Sequence, residues 1–193
     1  MKTILTDCDG VLLDWEAAYH SWMAQHGYTL VKPGVYEMEV AYGISKKESK
    51  NLIKVFNESA WMGFLPALRD ARSGVARLVE AGYEFVCITS LSLDEKARML
   101  RISNLKNIFG KDVFVDVVCL DTGADKDQAL EQYRGSGLWW IEDKIENAEC
   151  GYNIGLKTAL IAHEHNNKFY SDGIVRVDTW KELSDIIIKD GNE

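Results

Sequence analysis

KTILTDCDGVLLDW, residues 2–15, runs from an apolar segment straight into a pair of acids. Thr3-Ile4-Leu5-Thr6 is short, apolar and rich in β-branched residues, which reads as a strand. Asp7 and Asp9 follow at a spacing of two, and Gly10 comes next. A glycine at a strand end marks a turn or a close backbone approach. Carboxylates at the end of a buried strand are costly unless a cation, a proton or hydrogen bonds offset them. In an open α/β sheet, the carboxyl end of a strand is also where ligands bind. Taken alone, the pair also admits a plainer task, capping the helix that follows.

The rest of the chain extends the strand into an alternating pattern. Helical spacing runs over 15–25 and stops at His26-Gly27. Ser45-Lys46-Lys47-Glu48 reads as a capping box that opens a helix through Phe56 and Asn57. No strand is expected between 15 and 66. From Arg69 onward, helices are expected over 69–81, 93–104, 125–134, 144–153 and 179–189. Strands are expected over 84–89, 113–120, 138–141, 157–162 and 174–177. Strand–helix alternation with continuous apolar strands implies a parallel sheet covered on both faces. The expected fold is therefore a Rossmann-like, doubly wound α/β core of residues 1–14 and 67–193. A small helical cap, residues 15–66, is inserted after the first strand.

Bulk properties narrow the function. In 193 residues, the formal net charge is −8, which argues against a nucleic-acid or membrane-surface binder. Cys8, Cys87, Cys119 and Cys150 show no metal-ligand or CxxC spacing, so reduced thiols in a cytoplasmic protein are expected. Neither a secretory leader nor an apolar run of membrane-spanning length is evident.

The chemistry stands at the strand ends. Asp7-Cys8-Asp9 ends the first strand and Thr89-Ser90 the second. Asp121 to Lys126 follows the third, and Glu142-Asp143 ends the fourth. Right-handed crossovers bring these ends to one edge. Carboxylates, a hydroxyl at a helix start and a lysine suit a divalent cation holding a phosphoryl group. Singly, each has a plainer reading: Thr89-Ser90 as a helix cap, Lys126 as a solvated side chain, Glu142-Asp143 as acids at a helix start.

In order and spacing, Asp-x-Asp-Gly-Val-Leu-x-Asp at 7–14, Thr89, Lys126 and the acidic pair 142–143 resemble the haloacid dehalogenase-like superfamily. The resemblance covers the whole chain and implies bound Mg²⁺ with an aspartyl-phosphate intermediate. It makes Asp7 the nucleophile and a metal ligand. Asp9 becomes the general acid and base, with its carbonyl on the metal. Thr89, with Ser90 beside it, binds phosphoryl oxygens, and Lys126 neutralises charge on the nucleophile and the phosphate. Asp143 and Glu142 complete the metal set. Two positions depart from the pattern: Glu142 replaces the commoner aspartate or glycine, and Asn147 stands where many members carry a further aspartate.

Within the superfamily the chain is closest in look to the 5′(3′)-deoxyribonucleotidases, through the Thr89-Ser90 pair and Phe64-Leu65-Pro66 at the cap exit. That resemblance implies a phosphomonoesterase for a small phosphorylated metabolite, a (deoxy)nucleoside monophosphate first. Trp15, Tyr36, Trp61 and Phe64 are the candidates to stack on a base; each can equally pack cap against core. Two other functions stay open. One is a phosphatase of nucleic-acid 3′ ends, for which only Lys46, Lys47, Lys50 and Lys54 speak. The other is a non-catalytic module on the same fold.

Overall fold

The computed structural model describes residues 2–192. β1 (Lys2–Thr6) lies inside the sheet because its residues are apolar on both sides. Ile4 and Leu5 are both fully buried, in two different apolar clusters. Successive side chains of a strand point to opposite faces, so both faces of the sheet are covered. A helical insert follows, made of α1 (Trp15–Gln25), α2 (Met38–Tyr42), α3 (Lys46–Asn57) and a 3₁₀ turn at Ala60–Gly63. Asp14 caps α1 by accepting from Ala17 N, and Ser45 caps α3 by accepting from Glu48 N. The largest apolar cluster runs without a break from Ile4 and Phe85 in the sheet to Tyr19, Trp22 and Phe56 in the insert.

Then come α4 (Ala71–Glu80), β2 (Tyr83–Thr89), α5 (Glu95–Phe109), β3 (Phe114–Cys119) and α6 (Asp127–Leu130). The chain ends its regular structure with β4 (Trp139–Glu142), α7 (Ile145–Asn153), β5 (Lys157–Ile161), β6 (Ile174–Val177) and α8 (Trp180–Asp190). All pairings are parallel, in the order β3-β2-β1-β4-β5-β6. Strand order reverses beside β1, so its carboxyl end is the topological switch point, where such folds bind ligands. The fold is the Rossmann-like α/β arrangement that the alternation implied.

Two elements differ from expectation. α5 runs on to Phe109 instead of stopping near 104. Asn104 is buried and donates through Nδ2 to the Leu65 carbonyl (3.0 Å), so a tertiary bond overrides its poor helix propensity. The helix stops at Gly110, whose φ is +117°. Conversely, the segment 125–134 makes only the single turn of α6 and a 3₁₀ turn at Glu131–Tyr133. Leu130 is the one fully buried apolar residue there, too little apolar surface to hold a longer helix.

The far end of the chain fastens the start. Trp180, buried at the head of α8, donates from Nε1 to the Val11 carbonyl (2.8 Å). Asp70 accepts from the backbone of Trp180 and Lys181 (3.0 and 2.9 Å). No helix among the described residues is long and apolar enough to cross a membrane.

Candidate active site

Asp7 is the first residue past β1, and its N–H still donates to the Ile141 carbonyl of β4 (2.8 Å). That bond sets its side chain between the β1 and β4 ends. Lys126 reaches in from the start of α6, 2% exposed, with Nζ 2.7 Å from Asp7 Oδ2 and 2.6 Å from Glu142 Oε1. Its ammonium also lies 5.3 Å from the Trp140 ring centre. Gly10 brings the backbone against Asp143. Its φ is +75°, and a Cβ there would stand 2.3 Å from Asp143 Oδ2. Ligand atoms of Asp7, Glu142 and Asp143 lie within 4.8 Å of one another.

These acids are not equivalent. Glu142 accepts from Lys126 Nζ and Asn147 Nδ2 at Oε1 (2.6 and 2.7 Å), and from Asp143 N and Lys144 N at Oε2 (2.6 and 2.8 Å). Its lone pairs are spent on the protein. The two departures from the superfamily pattern, Glu142 and Asn147, thus bond to each other; an aspartate at 147 would set two carboxylates face to face. Asp7 Oδ1, by contrast, is buried with no partner, and so is the hydroxyl oxygen of Thr89 at the end of β2. Ser90 is used elsewhere, donating to the Ala124 carbonyl (2.7 Å) and tying its loop to the one that carries Lys126.

Burial dominates the electrostatics. It pushes the Asp7 carboxyl up to about 7, with Lys126 pulling the other way and Glu142 and Asp9 adding to the rise. Asp143 is pushed well up by burial, then by Glu142 and Asp7. For Glu142, burial is outweighed by Lys126 and the donors around it, and its pKa falls below the usual value. Burial likewise opposes the charge on Lys126, but Asp7 and Glu142 carry its pKa upward. One acid is fixed as a carboxylate; the other two wait on a counter-charge.

Asp9 points to a partner that the motifs did not reveal. Arg101, from α5, is fully buried and grips the Asp9 carboxylate with Nη1 on Oδ1 (2.5 Å) and Nη2 on Oδ2 (2.9 Å). Helical periodicity held the clue, because Arg101 shares the inward stripe of Ala97, Asn104 and Leu105. Two histidines past β5 also reach the site. His163 donates from Nε2 to the Gly10 carbonyl (2.6 Å), and burial lowers its pKa to about 4, so it is neutral. His165 donates from Nε2 to the Asp143 carbonyl (3.0 Å). They stand at a fifth strand end, beyond the four that the motifs mark.

The four aromatic candidates are scattered. Trp15 stacks on Tyr19 at 4.6 Å and donates from Nε1 to Asn57 Oδ1 (2.9 Å), inside the insert. Trp61 leans on Phe56 at 6.1 Å, and Phe64 is 80% exposed. Only Tyr36 turns toward the acids. Its ring sits 5.0 Å from His165, and burial of its hydroxyl end, with the charges of Asp143, Glu142 and Asp7, raises its pKa.

No protein family model matches the chain, and no curated protein does. Solved structures do share its fold. A haloacid dehalogenase-like family hydrolase from Streptococcus pneumoniae superposes with a TM-score of 0.67 at 14% identity, covering 97% of this chain and 98% of that one. A D,D-heptose 1,7-bisphosphate phosphatase from B. bronchiseptica, complexed with magnesium and phosphate, gives 0.59 at 14% identity over 98% and 99%. An L-2-haloacid dehalogenase gives 0.61 at 14% identity over 97% and 99%. A phosphatase and a dehalogenase share this architecture, so the fold alone assigns no reaction to this chain.

Proposed function

We propose that this protein is a Mg²⁺-dependent phosphomonoester hydrolase that works through an aspartyl-phosphate at Asp7. The observation that carries the proposal is the pair of buried, unpartnered atoms, Asp7 Oδ1 and Thr89 Oγ1, at neighbouring strand ends. Buried polar atoms are rarely left without partners unless a ligand is to supply them. Charge supports the same reading. Asp7, Glu142 and Asp143 against Lys126 leave two negative charges in a buried cluster, the amount that one divalent cation offsets. With Glu142 engaged by four donors, Asp7, Asp143 and the Asp9 carbonyl would hold the ion. Hard oxygen ligands suit Mg²⁺, which would withdraw charge from the phosphoryl oxygens.

Lys126 fixes Oδ2 of Asp7 and leaves Oδ1 to bond to phosphorus as the ester P–O bond breaks. The leaving oxygen keeps the bonding pair and takes a proton from Asp9. Water then attacks the phosphorus, gives its proton to Asp9, and releases Asp7 and inorganic phosphate. The Thr89 hydroxyl donates to a phosphoryl oxygen, and Lys126 offsets charge as it builds. Asp9 favours phosphate esters over haloacids, because a halide leaves without a proton whereas an alkoxide needs one. Small phosphorylated metabolites are the proposed substrates, with (deoxy)nucleoside monophosphates first. Tyr36, the aromatic side chain beside the acids, would meet the organic part.

Phosphate release from nucleoside monophosphates, sugar phosphates and 3′-phosphorylated oligonucleotides, with Mg²⁺ or EDTA, tests this. Release is expected only with Mg²⁺ and is abolished in Asp7→Asn. A preference for the oligonucleotides would replace the substrate class. No release from a folded, Mg²⁺-supplied protein would refute the hydrolase.

A further inference from the structure

We propose that Arg101 is a positioning residue of this site, holding the Asp9 carboxylate in the orientation from which it serves the leaving oxygen. The inference rests on the phosphohydrolase reading and adds a residue to it. A guanidinium is a planar fork, and paired N–H groups on two carboxylate oxygens fix the plane as well as the place of the acid. Arg101 engages both Asp9 oxygens in this way. About four lone-pair sites exist on a carboxylate and the fork takes two. The Asp9 side chain keeps 23% exposure, so one part of the carboxylate reaches solvent while the guanidinium holds the rest.

The cost of this arrangement argues that it is not packing alone. Arg101 is fully buried, and its Nε has no partner. An apolar side chain in such a place is often as stable or more so. The guanidinium also donates from Nη1 to Cys8 Sγ (2.8 Å), and Nη2 lies 3.4 Å from Met62 Sδ in the turn that leaves the insert. A single side chain on α5 therefore touches the loop between the two aspartates and the exit of the insert. The helix itself follows the Thr89 strand end, so it sets Asp9 relative to the phosphoryl-binding hydroxyl.

The test compares two substrates in wild type, Arg101→Lys, Arg101→Met, Asp9→Asn and the double variant Asp9→Asn/Arg101→Met. One substrate is the alkyl phosphate ester released fastest in the panel. The other is 2,4-dinitrophenyl phosphate, whose leaving group departs without a proton. Misplacing a catalytic group by about 1 Å costs roughly 100-fold, so Arg101→Met should lower kcat on the alkyl ester by roughly 10- to 100-fold, with KM little changed. On the dinitrophenyl ester kcat/KM, which reads transfer to Asp7 and not the later attack of water on the aspartyl-phosphate, should fall by no more than about threefold, the scatter of context effects. Arg101→Lys should recover part of the loss. The double variant should be no slower than Asp9→Asn, because the two act as a unit. Equal losses of kcat/KM on both substrates, or losses that add in the double variant, would overturn the role of Arg101 and leave the hydrolase standing. A wild-type protein inactive on both would remove the hydrolase and this inference together. Should Arg101→Met fail to fold, Arg101→Lys carries the same comparison.

Discussion

Replacing Lys126 by methionine removes the one cation of the acidic cluster while keeping most of its volume. Its ammonium is the sole side-chain partner of Asp7 Oδ2 and one of four donors to Glu142. Glu142 keeps three donors after the change, but Asp7 keeps none, and the two carboxylates then face each other in a buried place. Breaking a buried pair from one side costs about 3–5 kcal/mol. In a chain of this length each kcal/mol moves Tm by about 2–4 °C, so a fall of roughly 6–20 °C is expected at pH 8 without metal. Protonation limits the damage. The Asp7 carboxyl already sits at about 7, and losing Lys126 moves it further up, so the deficit shrinks at pH 6. Mg²⁺ should still raise the Tm of the variant, whose cluster is one charge more negative. Hydrolysis should nonetheless fall by about 100-fold or more, the usual loss when a charge-stabilising donor is removed. Calorimetry at pH 6 and 8, with and without Mg²⁺, reads all of this. A drop below about 2 °C at pH 8 in the metal-free variant would refute the buried ion-pair account.

Two further outcomes follow from the same geometry. Folding raises the Asp7 pKa from an ordinary value of about 3.9 to about 7, so the metal-free native state binds the extra proton between those values. Its contribution to stability is full below that window and is lost as pH rises through it. Subtracting the Tm of Asp7→Asn from that of wild type should give a difference that declines between pH 4 and 7; a flat difference would contradict the burial of Asp7. Gly10→Ala places a Cβ against Asp143 Oδ2 at a φ of +75°. Strain of about 1–3 kcal/mol is expected, together with loss of the Mg²⁺-induced Tm rise. A full Mg²⁺ response in this variant would show that Asp143 does not hold the ion.

Local signals explain what could be read in advance. α1 begins and ends where its spacing and the His26-Gly27 break indicate, and Ser45 caps α3 through Glu48 N, because both depend on neighbours a few residues away. Strand type followed from continuous apolar runs. Glu142 was legible as an acid at a strand end, but not as one already occupied. Its four donors come from Lys126, Asn147 and two backbone amides that only the fold brings together. Arg101 escaped because a lone arginine in a polar helix looks solvated until its stripe is compared with Ala97 and Leu105. The aromatic candidates show the same limit. Sequence places Trp15 at an edge of the insert, yet Tyr19, Phe56 and Asn57 hold its ring inside.

The bond from Trp180 to the Val11 carbonyl has a consequence for biosynthesis. β1 leaves the ribosome well before its neighbours β2 and β4, which begin at Tyr83 and Trp139. Asp7 must wait for Lys126, and the loop after it for Trp180. At ordinary elongation rates that interval is roughly ten to thirty seconds. Until β2 emerges both edges of this apolar strand are unpaired, and until β4 emerges one is, so it stands ready to join the wrong partner. The segment up to β4 therefore stays open to mispairing through much of its synthesis, and the loop after Asp7 gains this hydrogen bond only when α8 emerges.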